Sequence, residues 1–343
     1  MRQVWIDKQR WMKGLLTLVM ILVGTSVMAS SQKDGDHVMS DTTKISYHFA
    51  TKAEGQKRIA ANTQYYNRLT QNDIEWRMKK TGATVDELKA FAQTCVRDFT
   101  DEEKTIVASG MAFIEGKLHA MGATLPFPKE DIAFIKTTAE EEGGAGGYTL
   151  MTDIFLDEKV LQLGTTNPNF FCEILAHELF HCLTRNSFEF RRQMYRLIGF
   201  TVTGTDYVFS PAIQDKILNN PDVDHIDNYA EFTINGVKYN CALMPFFTKT
   251  WAEASAEYGD KASFFGFNQT VLVPVDKLDT YYTTDEATDF WKVIGENTDY
   301  VLAPEECLAE NFSFAVVDGL DGKTYKPPQL ISDMINLLKR WKN

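Results

Sequence analysis

The stretch "NPNFFCEILAHELFHCLTRN", residues 167–186, constrains the fold more than any other part of the chain. Asn167 is a good N-cap and Pro168 suits the first helical position, so the pattern predicts a helix from there to about Arg185, with Asn186 as its terminator. Phe170, Phe171, Ile174, Leu175, Leu179, Phe180 and Leu183 lie on most of its sides. A helix that is apolar all round belongs in a core and must be covered by other elements. Yet this helix also carries His177, Glu178 and His181. Burying two imidazoles and a carboxylate is costly unless something satisfies them.

The order of those three residues is H-E-x-x-H. Residues four apart on a helix sit one above the other, so His177 and His181 point the same way and can hold one metal ion. Glu178 lies beside them and can reach a water at that metal, take its proton as general base and pass it to a leaving amine. A catalytic zinc needs a third protein ligand and one open position. No histidine follows at the spacing of H-E-x-x-H-x-x-G-x-x-H, which excludes the metzincin pattern. The best third ligand lies in "PEECLAENF", where Pro304 opens a helix and Glu306 and Glu310, four apart, share a face. Glu305 is a neighbouring alternative. Another is Asp206 in "GTDY", similar, but for a shift of one residue, to the aspartate segment of aspzincins.

H-E-x-x-H on one helix with E-x-x-x-[DE] on a later one resembles the gluzincin metallopeptidases, the thermolysin-like group. The resemblance covers roughly residues 131–190 and 300–316. It implies one zinc ion per chain held by His177, His181 and Glu306, with Glu178 as general base. Glu310 would hold a ligand histidine by its other ring nitrogen. "GYTLMTDIFL" resembles the edge strand that pairs there with an extended substrate. The strand, "HELFH" and "PEECLAENF" together also resemble a little-described set of exported bacterial proteins of inferred peptidase status. A Tyr or His outside the zinc shell usually stabilises the oxyanion in gluzincins, and His225 and Tyr229 are the candidates. The chain departs from the pattern in one respect. From His181 to Glu306 is 125 positions, far beyond the usual spacing, which leaves room for a lid or wall over the cleft.

The chain has 343 residues, enough for one large domain or two modest ones. Residues 1–29 read as a signal peptide: Arg2, Lys8, Arg10 and Lys13 precede an apolar run that ends with Val27 and Ala29 at cleavage spacing. The alternative is an uncleaved membrane anchor. Cleavage would send the chain to the periplasm or outside the cell, with no stable membrane insertion thereafter. It would also shift the net charge from −12 to about −15, since the segment holds four basic residues and one acidic. So acidic a surface argues against nucleic acid or anionic membrane as a partner; a peptide or protein substrate is what the resemblance implies. Cys95, Cys172, Cys182, Cys241 and Cys307 are an odd set; Cys172 and Cys182 lie ~15 Å apart on one helix and cannot bridge each other. They read as buried small hydrophobes with at most one bridge.

The expected fold class is α+β, with a gluzincin-like core of a small sheet with an edge strand, the HExxH helix and the later Glu helix. Residues 30–125 read as a leader and a helical N-terminal module, with capping boxes at Thr84/Glu87 and Thr100/Glu103 and a stop at Gly122. Residues 126–343 read as the catalytic domain, with a long mixed insertion at 187–300 that carries a hairpin at Asn235-Gly236. "AEEEGGAGG" reads as a flexible turn, since no G-K-[ST] follows. His37, His48 and His119 are assigned no role. The functional expectation is an exported zinc metallopeptidase. The alternative is a zinc-binding, non-hydrolytic interaction protein of the same fold. Oligomeric state and cleavage specificity are not legible.

Overall fold

A computed structural model describes residues 44–341. The expected signal peptide 1–29 and nearly all of the leader at 30–45 lie outside the described residues. Strand β1 (Tyr47–Phe49) leads into helices α1 (Lys52–Ala61), α2 (Gln64–Arg68), α3 (Gln71–Met78) and α4 (Val85–Cys95), the short strand β2 (Val96–Arg97) and the long helix α5 (Asp101–Met121). Capping boxes start α3, α4 and α5 through Thr70/Asp73, Thr84/Glu87 and Thr100/Glu103. Each satisfies two backbone N–H groups that a helix start leaves open. Gly122, at φ 69°, ends α5.

Next come β3 (Ile132–Thr137), β4 (Gly147–Leu150), β5 (Asp153–Asp157), α6 (Glu158–Thr166) and α7 (Pro168–Asn186). The first sheet has the order β1-β3-β5-β4, with β1, β3 and β5 parallel and the edge strand β4 antiparallel, and the short β2 also pairs antiparallel with β3. All of β3 is buried, as a parallel strand covered on both faces must be. Ile132 and Phe134 face α5 and α7, while Ala133 and Ile135 face the core formed by α1 to α4. Residues 44–125 pack directly on the rest of the chain. They supply two strands of the sheet, the cover of one face and, through α5, part of the other. Contact on that second face is close: a Cβ on Gly110 of α5 would stand 2.6 Å from Leu175 of α7.

"YTLMTDIFL" is not one strand but a hairpin, β4 and β5, turning at Met151-Thr152 with Met151 at φ 56°. Two-residue turns normally announce themselves with Asn or Gly, and this one has neither. Helix α7 runs through the core. Leu175, Leu179, Phe180 and Leu183 are fully buried; at about 1.5–3 kcal/mol each, they offset much of the cost of the polar residues beside them.

The region expected as an insertion contains α8 (Phe188–Arg196), β6 (Thr201–Val202), α9 (Pro211–Gln214), β7 (Asn228–Ile234), β8 (Val237–Phe247), α10 (Trp251–Tyr258), β9 (Asn268–Pro274), β10 (Tyr282–Thr283) and α11 (Phe290–Ile294). Its strands form a second, antiparallel sheet in the order β10-β9-β8-β7-β6. Strand β8 alternates with period two: Cys241 and Leu243 join the main core, and Ala242, Met244 and Phe246 a smaller one. The turn at Asn235-Gly236 has φ of 50° and 80°, the two positive values a tight hairpin needs. Helices α12 (Pro304–Val317) and α13 (Pro328–Arg340) complete the chain, α12 packing along α7 and buried at every position but Glu310. The architecture is thus mixed α+β, with two sheets around central helices. All five cysteines are buried and free. Among the described residues no helix is long and apolar enough to cross a membrane.

Candidate metal centre

The two helices that the sequence singles out lie against each other with their polar residues face to face. His177, Glu178 and His181 on α7 are buried, His181 completely, and so are Glu305 and Glu306 on α12. His177 Nε2 stands 3.1 Å from Glu306 Oε2. Its other ring nitrogen, Nδ1, is 3.7 Å from Glu310 Oε1. His177, His181 and Glu306 each offer one ligand atom, all within 4.8 Å of one another.

His181 is oriented by a residue that sequence reasoning set aside. Its Nδ1 lies 3.1 Å from Glu305 Oε1, and Glu305 also accepts from Thr184 (2.5 Å) and from Tyr195 (2.8 Å). With Glu305 ionised it only accepts, so Nδ1 then carries the proton and Nε2 turns its lone pair inward. That buried Nε2 has no hydrogen-bond partner. Burial, then the neighbouring His177, holds the His181 imidazole well below its ordinary pKa, in the neutral form a metal ligand requires. Burial also pushes the Glu305 carboxyl up to about 7, against the pull of its Thr184 and Tyr195 hydrogen bonds.

The edge strand β4 runs past this cluster. Thr149 donates its hydroxyl to Glu178 Oε2 at 2.8 Å. Gly147 sits over the other oxygen: a Cβ there would be 2.9 Å from Glu178 Oε1, so a side chain at that position would press on the carboxylate. Val160, Phe170, Ile174, Phe265 and Tyr300 line the cleft beside His177 and Glu178. The acidic, glycine-rich turn before β4 is tied down rather than loose. Glu142 accepts from Tyr65 and Arg77, and Glu141 from Tyr148 at 2.6 Å.

Three expectations from the sequence are corrected here. His225 and Tyr229 do not line the cleft. His225 is solvent-facing and pairs with Asp206 at 3.0 Å, and Tyr229 sits in β7 opposite Thr201. Asp206, also expected as an alternative ligand, is not among the residues that converge on His177 and His181. The tyrosine that does reach the cleft is Tyr300, its ring centroid 6.0 Å from that of His177. Burial, then the Glu306 carboxylate, raises its pKa well above the usual phenol value, so it stays an O–H donor. Finally, the edge strand is not open at Thr149. Its N–H donates to Asp222 Oδ1 at 2.6 Å, and its carbonyl accepts from Arg185 at 2.9 Å.

Asn220 and Asp222, which the sequence reading missed, arrive from the region expected to be an insertion. Asn220 donates its amide to Glu306 Oε1. Asp222 Oδ1 stands 4.0 Å from His181 Nε2. Burial, then Glu178 and Glu306, raises the Asp222 carboxyl well above its ordinary pKa. The signal was the run "NNPDVDHID", polar and acidic around a proline, in which only the histidine was considered.

These residues fit a zinc ion. The donors are imidazole and carboxylate, the set zinc accepts, and a buried imidazole lone pair aims into a cluster of crowded carboxylates. Compared with known proteins, the chain matches no family model, no curated protein and no solved structure.

Proposed function

We propose that the chain is a zinc-dependent metallopeptidase of gluzincin type, with His177, His181 and Glu306 as the metal ligands. The observation that carries this reading is the convergence of the three on one buried spot, with Glu178 beside them and His181 Nε2 turned inward. When bound, the ion supplies Lewis acidity, polarising a carbonyl and making water acidic near neutral pH. The protein supplies the rest. Glu178 is held through Oε2 by Thr149, which leaves Oε1, under Gly147, to take a proton from water and return it to the leaving amine. Tyr300, kept protonated, is the donor placed to hold the oxyanion. Glu305 and Glu310 fix the two imidazoles.

Glu178→Gln tests the reading. Peptide hydrolysis should fall by about 10²–10⁴-fold while metal content is unchanged. Hydrolysis that survives the substitution rejects Glu178 as the base. A second reading, a zinc-binding protein that does not hydrolyse peptides, draws on one observation: Asp222 and Arg185 occupy the backbone groups of Thr149 that an extended substrate would use.

A further inference from the structure

The segment Leu218–Asp224 brings Asp222 to the cleft and is held by its main chain. Arg77 donates to the carbonyl of Asn219 at 2.7 Å. Arg68 donates to the carbonyls of Asn220 at 2.7 Å and Asp224 at 2.9 Å. Arg185 donates to the carbonyl of Pro221 at 2.7 Å and pairs with the Asp224 carboxylate at 2.8 Å. Asp73 accepts from both the main chain and the side chain of Asn219. Three arginines thus fix a strap with no regular structure at both ends and the middle, and the strap's side chains enter the metal centre.

We propose that Asp222 is a fourth ligand of that centre, delivered by this strap, so that the folded chain holds its metal closed against substrate. This rests on the metal-binding reading above and adds to it. Glu178, His181 and Asp222 each present a ligand atom within 4.8 Å of the others, a group that shares His181 with the first, and Asp222 lines the same cleft as His177 and Glu178. The Asp222 side chain is buried, and a buried carboxylate is costly unless it is paired or coordinates a cation. It faces the His181 nitrogen that has no hydrogen-bond partner. It also accepts the Thr149 N–H, the group an extended peptide would pair with on this edge strand. One carboxylate therefore fills both the remaining coordination position and the first substrate position. Four protein ligands make a closed centre of the structural kind, whereas catalysis needs one position open. Peptide cleavage then proceeds at a basal rate set by the fraction of molecules whose strap has left, and the strap is the element that an activating partner or cleavage would displace.

Asp222→Asn tests the ligand directly, because the amide keeps the shape and still accepts from Thr149. Titrated with Co²⁺, the wild-type chain should bind one ion, and the variant should bind at least about tenfold more weakly with a changed visible absorption spectrum. A wild type that binds neither Co²⁺ nor Zn²⁺ overturns both this inference and the metal reading. A wild type that binds, with a variant identical in affinity and spectrum, overturns the fourth ligand alone. Arg68→Gln tests the strap without touching a ligand. It should speed amide hydrogen exchange across 218–224 and raise peptide cleavage several-fold at unchanged metal content. Unchanged exchange, or cleavage at or below that of wild type, overturns the closure.

Discussion

Two buried polar clusters lie on either side of the strap, and they are balanced in different ways. In the first, the guanidinium of Arg77 donates to Glu142 at 2.7 Å, to Asp73 at 3.2 Å and to the Tyr65 hydroxyl at 2.8 Å. Burial works against that charge, but Glu142 and then Tyr65 and Asp73 more than restore it, and the Arg77 pKa is raised. The cluster carries its own cation. In the second, His181 Nε2 is buried without a hydrogen-bond partner, and the Asp222 carboxyl is pushed up by burial and then by its carboxylate neighbours. Chains bury charge when it is paired. The first cluster is complete as folded, and in the proposed reading the second takes its cation from outside.

The sharpest way to break the comparison is to remove the internal cation. Arg77→Met strands Asp73 and Glu142 in the interior and should cost about 3–5 kcal/mol in urea denaturation, with or without metal. A loss below about 1 kcal/mol would mean that the cluster is not the closed ion network described. Removing the external cation should cost less. Chelation should lower wild-type stability by about 2.7 kcal/mol relative to protein held at a hundredfold excess over its metal dissociation constant, and should leave His181→Ala unmoved. Equal sensitivity in the two proteins would place the metal elsewhere.

Smaller again is the effect expected from the residue that orients His181. Glu305→Gln should weaken metal binding about 10–100-fold by competition with a chelating dye, while Glu173→Gln, outside the ligand set, should not. An unaffected Glu305→Gln protein would show that His181 is held by packing alone.

The smallest effect belongs to the exposed pair His225–Asp206. The Asp206 carboxyl is lowered, against burial, by its hydrogen bond and charge contact with His225, so its share of stability is present above about pH 4 and lost as pH falls through the lowered value. The His225 imidazole is raised, chiefly by its hydrogen bond to Asp206, so its share is full below about pH 6.5 and lost as pH rises through the raised value. The stability difference between wild type and Asp206→Asn should peak between those limits and stay under about 1 kcal/mol, because both groups face solvent. His225→Ala should cleave peptides at the wild-type rate. A large loss of activity would return His225 to the site.

What was legible in the sequence follows from how local each signal is. The H-E-x-x-H spacing, the Asn167 cap and the Pro168 start all lie within one helix, and the helix formed with the expected bounds. Glu306, which the structure places beside His177, was singled out because Glu310, one turn on, gave it a shared face. The strap was not legible, because its contacts are main-chain carbonyls reached by distant arginines; Arg68 and Asn220 are 152 positions apart. Nothing in a run of Asn, Pro and Asp states which carbonyls will be gripped. The hairpin at Met151-Thr152 was missed for a simpler reason, since its turn lacks the residues that usually mark one. Glu305 was set aside for Glu306 on helical facing, although adjacent positions on α12 serve different histidines.

Elemental analysis of the purified wild-type chain beside His177→Ala and His181→Ala tests the central claim most directly. The account predicts close to one zinc per wild-type chain and essentially none in either variant, with secondary structure unchanged by circular dichroism. A folded wild-type chain that takes up no zinc when supplied with it, or variants that keep it, would contradict the account.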